Sequence, residues 1–401
     1  MKSETKIPFF LINRYLLRGN KWKITLIIFL MSIAFINLMF VSSLFGGIIE
    51  MTNSQIIDTY TGNIMITPKD GDDLIEKSDD FSKKLLDTEG VLEVSSQVVL
   101  PASLKYEGIS GNWTIIAVNP EEEKKVTNVY DKIIEGRYLN GDDLDGIIIG
   151  RQIAGGEGVE MNAFSFRGAK VGEKVSLSFD GVSKEYIIRG IFYTKFIDTD
   201  QRAFITRKSL DNLVPNYFDD KSNTFILKTE ERGDEEGVID LIKSKGIDAS
   251  FYTWEDVAGL MKTVTESFLS INILLSIVGV LIAAFTIFIV IYIDISSRRK
   301  QIGILRAIGI KPYLIDSLFV MQTVVYSCFG VLLGAAIFFG IIIPYFNAYP
   351  FVLPIGDATL VVNYTELIIK TETIIFVAIF SGLFPAIATT RMKLLDAIWG
   401  R

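Results

Sequence analysis

Histidine is absent from this 401-residue sequence, and cysteine occurs once, at position 328. Without an imidazole there is no histidine-based acid–base catalysis and no Ser-His-Asp triad. A single cysteine excludes both a Cys/His zinc cluster and an intrachain disulfide. Cys328 lies inside an apolar run, so we expect it to be a small hydrophobic residue packed among helices. A site built from carboxylates alone is the catalytic chemistry that remains open.

Negative charge outnumbers positive charge in the middle of the chain. Residues Glu50–Glu266 hold 40 of the 47 acidic side chains and 25 of the 40 basic ones, a net charge of −15, whereas the whole chain carries −7. Nucleic-acid binding draws its affinity from Lys and Arg side chains that neutralise phosphates, which argues against DNA or RNA partners. The remaining residues are basic and apolar, a composition typical of a membrane protein.

Charge is also missing from four apolar stretches, each long enough to cross a bilayer as a helix. They are Ile24–Ile49, Ser267–Ile293, the part of Ser317–Gly356 that ends at Ile343, and Thr373–Thr390, which contains Pro385. The first is longer than a signal-peptide core and lacks a cleavage site, which predicts a retained anchor. The predicted organisation is a basic N-terminus (1–23), transmembrane helix 1 (24–49), an outer domain (50–266), helix 2 (267–293), a connecting segment (294–312), helix 3 (313–343), an outer loop (344–371), helix 4 (372–391) and a tail (392–401).

Lysine and arginine cluster in three places that four spans would bring to one side of the membrane. Because short basic loops stay in the cytoplasm, we predict a multi-pass protein of the cell (inner) membrane with both termini cytoplasmic and the large domain extracytoplasmic. The clusters are Lys2, Lys6, Arg14, Arg18, Lys21 and Lys23, then Arg298, Arg299, Lys300, Arg306 and Lys311, and finally Arg391, Lys393 and Arg401.

Apolar patterning in the outer region predicts a mixed α+β domain. Its first part has the order β-α-β-β, which indicates a split βαβ unit, and its last part is β-α-β. We expect these two parts to pair around a β-rich insertion between about Ile133 and Thr206, with Asp180-Gly181 as the strongest hairpin signal. The predicted strands are Gly62–Thr67, Val91–Tyr106, Trp113–Val118, Gly146–Gly150, Lys174–Phe179, Lys184–Phe192, Thr224–Lys228 and Ala249–Tyr252, and the predicted helices are Leu74–Leu86 and Glu235–Lys245.

Two junctions next to the predicted spans are helical in pattern. Ile48–Tyr60 follows helix 1 and Glu255–Glu266 precedes helix 2, so both helices are predicted to continue beyond the lipid as stalks. Rigid helices of this kind carry displacement across the membrane surface. Ordinary juxtamembrane linkers are the alternative, although neither junction is rich in proline, glycine or serine.

The most specific stretch of the sequence is Ser296–Gly309, between the second and third predicted spans. Its helical pattern predicts an amphipathic helix on the inner membrane surface, ended by Gly309 and Pro312. One interpretation is a basic membrane anchor with no further role. The other is a contact surface on which the guanidinium groups meet carboxylates of another chain. The predicted apolar arc holds Ile302, Ile304, Leu305 and Ile308, and the opposite arc holds Arg299, Gly303 and Arg306.

The run Arg-Arg-Lys-Gln-Ile-Gly-Ile-Leu-Arg-Ala-Ile-Gly at 298–309 resembles the signature RRxEIGILRALG of permease subunits in the MacB, LolC/LolE and FtsX superfamily of ABC systems. The ending 381–391 with Asp396-Ala397-Ile398 is similar to the closing pattern of that superfamily, AGLxPAxxAxRxxPxEALR. Outer segments such as Gly136-Arg137-Tyr138 and Gly172–Val175 resemble its extracytoplasmic core domain. Gln301 departs from the signature, which usually has Glu there, and Lys393-Leu394-Leu395 replaces a tail that often contains proline.

This resemblance implies an α-helical membrane protein with four transmembrane helices and a large mixed α+β extracytoplasmic domain of the MacB-like periplasmic core type, inserted between helices 1 and 2. It implies a permease subunit that pairs with a second permease subunit, as a homo- or heterodimer, and binds a cytoplasmic ABC ATPase dimer. ATP and Mg would be bound by that ATPase, with no cofactor or metal in this chain. The residues implied to form the ATPase-coupling helix are Arg298, Arg299, Gln301, Gly303, Ile304, Leu305, Arg306 and Gly309.

The sequence itself contains no Gly-x-x-x-x-Gly-Lys-Ser/Thr loop of the kind that cradles nucleotide phosphates, which predicts a non-catalytic subunit. The nearest approach, Gly168–Lys174, lacks the required ending and is predicted to be a β-turn. Some acidic neighbours resemble hydrolase carboxylates or Ca²⁺ ligands. In so acidic a region, a solvated acidic face is the better interpretation of these residues, which are Asp142, Asp143 and Asp145, and Asp198 with Asp200.

Small residues four positions apart predict close helix packing within the membrane, either in a dimer or inside one subunit. The predicted spans contain no charge, which argues against an ion or proton pathway. An apolar groove between helices 1 and 2 is a candidate site for acylated cargo, and a glycine-rich outer loop is a candidate partner contact or, alternatively, a core-facing strand. The packing candidates are Gly279, Ala283, Gly330 and Gly334, the groove candidates Phe40 and Leu44, and the loop candidates Phe164 and Phe166.

Four functions remain open at this point. The layout is most similar to lipoprotein-releasing permeases, in which ATP hydrolysis by a separate subunit drives movement of the outer domain, that is, mechanotransmission. MacB-like efflux of peptides or small molecules and FtsX-like transmembrane signalling to a cell-wall hydrolase are the rivals. A receptor-like or adhesive membrane protein without an ATPase is the alternative from a different class.

Overall fold

The computed structural model describes residues 21–69, 73–159, 162–353 and 355–391. The chain divides into two compact units. The helical unit is drawn from residues 1–50, 265–352 and 357–401, and the α/β unit is Met51–Val264 with Leu353–Gly356. Lys2, Lys6, Arg14 and Arg18 of the predicted basic N-terminus, and the tail with Lys393, Asp396–Ile398 and Arg401, lie outside the described residues.

The described residues form the following helices and strands, numbered in chain order. The helices are α1 Lys21–Ile56, α2 Ser78–Leu86, α3 Pro120–Val126, α4 Arg151–Ala154, α5 Ile197–Asp200, α6 Arg207–Leu213, α7 Glu235–Ser244, α8 Trp254–Val257, α9 Leu260–Ser297, α10 Arg299–Ala307, α11 Pro312–Ile337, α12 Ile343–Ala348 and α13 Tyr364–Thr390. The strands are β1 Ile64–Thr67, β2 Ile75–Glu76, β3 Val91–Tyr106, β4 Ile109–Val118, β5 Ile133–Gly136, β6 Gly146–Gly150, β7 Lys174–Phe179, β8 Val182–Phe192, β9 Arg202–Thr206, β10 Lys221–Ser222, β11 Thr224–Thr229, β12 Ser250–Thr253, β13 Phe351–Leu353 and β14 Gly356–Ala358. The π-helical turns Ile57–Thr61 and Phe338–Ile342 continue α1 and α11.

Four helical segments of the described chain are long and apolar enough to cross a membrane: Lys21–Thr61, Lys262–Ser297, Pro312–Ala348 and Tyr364–Thr390. The last begins well before the predicted Thr373, and it carries Glu366 and Lys370. Glu372 ends the apolar run in the sequence. Glu366 and Lys370 lie before it, and each has a partner on a neighbouring helix. Ser42 of α1 donates to Glu366, and Lys370 donates to Ser276 of α9 at 2.7 Å. The predicted span Thr373–Thr390 carries no charge, and these charged residues lie in the part of α13 that precedes it.

The predicted helical extensions differ on the two sides. α1 runs without a break to Ile56, so the chain after Ile49 is helical as expected. The stretch Glu255–Glu266 is not one helix, because Gly259 separates α8 from α9 at a φ of 49°. Glycine adopts this left-handed backbone conformation without the steric cost that other residues pay.

The core of the helical unit follows from apolar residues spaced three or four apart, which share one face of a helix. On α1 these residues are Ile24, Ile27, Met31, Phe35 and Leu38, and they pack in one cluster with residues of the other long helices. Where such helices cross a bilayer, their association depends on close van der Waals packing and interhelical hydrogen bonds rather than on the removal of apolar surface from water. The partners in the cluster include Ile287, Ile291 and Ile295 of α9, Phe319 and Tyr326 of α11, and Ile374 and Ala378 of α13.

The α/β unit contains the predicted split βαβ arrangement. Its first and last parts pair as an antiparallel sheet of order β12-β1-β11-β3. β1-α2-β3 and β11-α7-β12 are the two βαβ halves. Leu85 of α2 and Val238, Ile239 and Ile242 of α7 are buried against the apolar face of this sheet. The expected pairing of the early and late segments is confirmed.

The β-rich insertion joins the same sheet as a closed ring. β3 pairs with β4, β4 with β9, β9 with β6, β6 with β8, β8 with β7, and β7 again with β3. Alternate residues of these strands point inward and form one core, for example Leu100 and Leu104, Ile147 and Ile149. Asp180 and Gly181, both at positive φ, make the predicted hairpin turn. The insertion therefore begins at β4, earlier than the expected Ile133.

Candidate functional site

α10 connects the second and third long helices, where the sequence predicted the coupling helix. It begins after Arg298, ends after Ala307, and is followed by Gly309 at a φ of 96° and by Pro312 at the start of α11. The predicted stop signals are thus where the helix ends. We call the part of the helical unit formed by the start of α1, the end of α9, α10, the start of α11 and the end of α13 the basic end.

The faces of α10 differ from the predicted arcs. Ile302 is buried in the core of the helical unit and Leu305 packs against it, but Ile304 and Ile308 are 53% and 74% exposed. Gly303, expected on the outward polar arc, is buried. The predicted grouping of four apolar residues on one arc is therefore wrong. The outward face combines apolar and polar residues, namely Lys300, Gln301, Ile304, Ala307 and Ile308.

A buried polar cluster lies at the junction just before the first residue of α10. The Arg298 guanidinium lies 2.8 Å from the Asp294 carboxylate, and the two side chains are 11% and 6% exposed. Gln322 of α11 donates to Asp294 at 3.2 Å and to Tyr326 at 2.6 Å. Arg298 also donates to Gln322 at 3.4 Å. Arg298 is thus a buried anchor that ties the α9–α10 junction to α11, rather than an exposed contact residue.

Sequence reasoning missed the partners of Arg298. Asp294 stands one residue past the predicted end of helix 2, and Gln322 lies inside an otherwise apolar helix. Two signals point to them in retrospect. Asp294 and Arg298 are four residues apart, the spacing of helical ion pairs, and Gln322 and Tyr326 share the same spacing. A second polar contact at this end joins Thr390 of α13 to Asp316 of α11 at 2.7 Å.

The predicted small residues lie at helix crossings inside one chain. A Cβ on Gly330 would stand 2.6 Å from Cβ of Met31, and one on Gly334 would stand 2.8 Å from Cδ1 of Phe35 and 3.0 Å from the carbonyl oxygen of Ser32. A Cβ on Gly279 would stand 3.3 Å from Cδ1 of Leu38. Ala283 is buried. Gly330 and Gly334 thus let α11 approach the backbone of α1 closely.

The cargo-groove candidates have neighbours within the helical unit. The ring of Phe40 lies 5.6 Å from that of Phe346 and 6.4 Å from that of Phe351, and Leu44 packs against the same core. These two residues therefore do not line a groove between helices 1 and 2. Phe45 is the residue that faces the second long helix, with its ring 6.2 Å from that of Phe268.

The two loop phenylalanines have opposite environments. Phe164 is 75% exposed, whereas Phe166 is buried in the core inside the closed ring of strands. Its ring centroid lies 5.4 Å from that of Tyr106 and 5.0 Å from that of Trp113. Phe166 is therefore a core residue, and the partner-loop prediction remains for Phe164 alone. Cys328, expected to be packed among helices, is exposed instead. It lies on α11 away from the core residues Tyr326 and Gly330.

The acidic neighbours do not converge on one point. Asp142 contacts Lys208 at 3.0 Å and Asp143 contacts Arg137 at 2.7 Å. Arg189 lies 2.8 Å from Asp145 and 3.9 Å from Asp143. The hydrogen bonds from Arg137 lower the pKa of Asp143. Asp198 is exposed while Asp200 is buried, so these two do not form a pair either. Among the described residues, no group of three or more acidic or cysteine side chains is arranged to hold a metal ion.

Asp200 gives the α/β unit a pH-dependent stability. Its carboxylate accepts hydrogen bonds from the backbone N–H and the hydroxyl of Thr194 at 2.8 and 2.9 Å. Burial raises its pKa from 3.8 to about 6 despite these bonds. Because the folded state binds this proton more tightly than the unfolded state, stability falls as the pH rises from about 4 to about 6 and stays low above that.

We expect Asp200→Asn to remove most of this loss, because the amide oxygen keeps the bonds from Thr194 without a charge. The gain should be up to roughly 3 kcal/mol at pH 7.5 and near zero at pH 4, from about 1.4 kcal/mol per pKa unit. Thermal unfolding of the full chain in detergent between pH 4 and 8 measures it. Asp198→Asn, an exposed neighbour, is the matched control. Equal pH profiles for Asp200→Asn and the original chain would contradict the assignment.

Comparison with known proteins finds matches to part of the chain. Residues 273–394 match the family described as the FtsX-like permease C-terminal domain. The ABC transporter permease YtrF of Bacillus subtilis (strain 168) is 30% identical over 131 residues, and this match covers 30% of each chain. The matched family region contains α10 and most of the long helices on either side of it.

Solved structures similar to the chain are extracytoplasmic domains. The extracellular domain of the noncanonic ABC-type transporter YknZ from Gram-positive bacteria is 14% identical, with a TM-score of 0.34, and the alignment covers 47% of this chain and 97% of that one. The periplasmic region of MacB from Actinobacillus actinomycetemcomitans is also 14% identical, with a TM-score of 0.35, and covers 52% of this chain and 96% of its own.

Proposed function

We propose that this chain is a non-catalytic permease subunit of an ABC transporter that works with a separate cytoplasmic ATPase dimer and a second permease subunit. The observation that carries the proposal is the match of residues 273–394 to the FtsX-like permease domain. That stretch includes α10, the segment best suited to receive force from another chain. Similarity to an ABC transporter permease of Bacillus subtilis supports the same class.

The proposed orientation puts the basic end in the cytoplasm and the α/β unit outside. Lys21 and Lys23 at the start of α1, Lys300 on α10 and Arg391 after α13 all belong to this end. Basic residues flanking short loops favour the cytoplasmic side. The strongly acidic composition of residues 50–266 is compatible with the opposite side.

The proposed coupling runs through α10. Its outward face offers Ile304 and Ile308 as apolar anchors one turn apart, flanked by the polar Lys300 and Gln301. An apolar centre with a polar rim is the usual anatomy of a protein interface. Arg298 then links any displacement of α10 to α9 through Asp294 and to α11 through Gln322. ATPase movement would in this way reach both helices at once.

Ile304→Asp should separate the chain from its ATPase without unfolding it. A carboxylate on this exposed position costs the fold little, but it places a charge at the centre of the proposed interface, where an anchor residue is worth 2 kcal/mol or more. We expect the ATP hydrolysis that co-purifies with the tagged full chain from native membranes to fall by about 30-fold. Leu86→Asp, on the exposed surface of α2, is the control and should retain full hydrolysis.

Equal ATP hydrolysis by the Ile304→Asp and Leu86→Asp preparations would contradict the proposal that α10 couples the chain to the ATPase. If no ATP hydrolysis co-purifies even with the unmodified chain, the receptor-like alternative gains instead.

For cargo we propose lipoprotein release or export from the membrane, with MacB-like efflux and FtsX-like signalling as rivals. Support comes from the exposed apolar surface of α9, which includes Leu269, Ile273 and Leu274, because an acyl chain needs such a surface. A photoreactive residue at Leu269 should crosslink a lipid-modified protein in cells, whereas one at the exposed Leu86 should not. Capture of small hydrophobic compounds alone would favour efflux, and capture of a hydrolase would favour signalling.

A further inference from the structure

A narrow apolar groove runs between the start of α1 and the end of α9. Its volume is about 240 Å³, and its walls are Leu26, Ile27 and Leu30 of α1 with Val290 and Ile293 of α9. Leu26 and Ile293 are exposed at its rims, so the groove opens sideways from the helical unit. It lies at the basic end, apart from the predicted cargo residues Phe40 and Leu44.

The polar end of the groove carries positive charge. Lys23 and Ser297 stand there with Asp294. The Asp294 carboxylate is held by Arg298 at 2.8 Å and accepts from Gln322 at 3.2 Å, so its charge is compensated within the helical unit. The Lys23 ammonium therefore dominates the electrostatics of the mouth, and Ser297 adds a hydroxyl.

The neighbouring residues indicate the depth of this mouth in a bilayer. Trp22 is 78% exposed next to Lys21 and Lys23. Tryptophan and lysine at the end of an apolar helix mark the level of lipid headgroups. The charged mouth thus coincides with the headgroup layer, and the apolar walls extend into the layer of acyl chains.

The size of the groove narrows the choice of occupant. A helix from a second copy or another subunit is about 10 Å across with its side chains, so only its side chains would fit in a groove of about 240 Å³. One hydrocarbon chain is slender enough and matches the apolar walls. Basic pockets between transmembrane helices on the cytoplasmic side recognise anionic headgroups.

We propose that this groove is a binding site for an anionic glycerophospholipid, with one acyl chain between α1 and α9 and the phosphate on Lys23 and Ser297. The site rests on the membrane embedding and orientation of the proposed function, but it needs neither the ATPase nor cargo. The bound lipid would fill the space between the two helices beside the Asp294–Arg298 pair.

The test uses the purified full chain, without ATPase, in nanodiscs of phosphatidylcholine. A small fraction of phosphatidylglycerol carrying a diazirine in its acyl chain is the probe, and phosphatidylcholine with the same diazirine is the reference. After illumination, peptide mass spectrometry should locate the label on residues 26–30 and 290–293. The anionic probe should label several-fold more than the reference.

Two variants, each with a matched control, test the headgroup contact and the acyl-chain groove separately. Lys23→Gln should bring labelling by the anionic probe down to the reference level, whereas Lys21→Gln, outside the lining, should not. Leu30→Trp should fill the groove and reduce labelling by both probes, whereas Phe29→Trp, on the exposed side of α1, should not. The unfolding temperatures of all four variants are compared. If Leu30→Trp does not fold, the labelling of Lys23→Gln decides the test by itself.

Equal labelling by the two probes, or labelling insensitive to Lys23→Gln, would overturn the proposal. A photoreactive residue at Leu30 that crosslinks to residues 1–20 or to a second copy, with no lipid adduct, would overturn it as well. Failure of Ile304→Asp to affect ATP hydrolysis leaves the lipid result intact, so the two proposals fail separately.

Discussion

Arg298→Ala is expected to lower the stability of the full chain by about 3–5 kcal/mol, because it leaves the Asp294 carboxylate buried without its cation. The pair is 2.8 Å apart and almost inaccessible to solvent, and Gln322 supplies the carboxylate with one further hydrogen bond. One amide donor does not replace an ion pair in a buried position. Thermal and denaturant unfolding of the protein in detergent measures the loss.

Lys300→Ala is the matched control for Arg298→Ala. Lys300 is a cation two residues further along the chain, but it lies on the exposed side of α10, so no comparable loss is expected. The double variant Asp294→Asn with Arg298→Ala should recover most of the stability, because the buried charge is gone. Equal unfolding temperatures for Arg298→Ala and Lys300→Ala would show that the pair does not anchor α10.

Arg298→Lys distinguishes anchoring from coupling. Lysine keeps the charge but loses the planar guanidinium that contacts Asp294 and Gln322 at the same time. In the proposed function, this variant retains the ATPase on the exposed face of α10 but transmits its movement less well to α11. Co-purifying ATPase with reduced transport would be the signature of that role.

The fold of the α/β unit was largely predictable from sequence because its strands are short apolar or β-branched runs bounded by turn residues. β3, β6 and β7 begin and end where the pattern predicts, and the Asp180-Gly181 turn has the residues that its backbone needs. The closed ring was not predictable. It depends on β3 being long enough to pair with β11 in its first half and with β4 and β7 in its second, and local pattern carries no information on such distant pairing.

α10 shows a different limit of prediction from sequence. The position of α10 was predicted, but its rotation was not, because hydrophobicity alone assigns arginine to the outside. Arg298 is buried since Asp294 and Gln322 satisfy it, and Ile304 is exposed. The spacing of four residues between Asp294 and Arg298 is visible in the sequence, whereas Gln322 lies on another helix and becomes a visible partner only when α9 and α11 are brought side by side. The same limit applies to Glu366 and Lys370, whose partners Ser42 and Ser276 are distant in sequence.

Phe164 and Phe166 lie two positions apart in the sequence but have opposite environments. The chain turns through the short 3₁₀ segment Asn162–Phe164, so the side chain of Phe164 faces solvent and that of Phe166 enters the core inside the closed ring of strands. Sequence patterning left both alternatives open because a glycine-rich stretch has no regular period. The aromatic partners of Phe166, on β3 and β4, decide the outcome.

Gly330→Ala is expected to destabilise the helical unit by about 1–3 kcal/mol, the usual cost of adding a methyl group to a filled core. The new Cβ would stand 2.6 Å from Cβ of Met31 and 3.3 Å from the carbonyl oxygen of Ile28. Neither atom is the far end of a flexible side chain, so α1 and α11 would have to separate. Thermal unfolding of the full chain in detergent measures the loss.

The matched control for Gly330→Ala is Gly340→Ala, since a Cβ there has nothing within 4 Å. Alanine is intrinsically better than glycine in a helix, so this control should be neutral or slightly stabilising, and the two variants should move the unfolding temperature in opposite directions. Because Gly330 meets α1 of its own chain, Gly330→Ala should lower stability without changing the oligomeric state measured by native mass spectrometry. A change in oligomeric state with unchanged stability would assign this glycine to contacts between subunits instead.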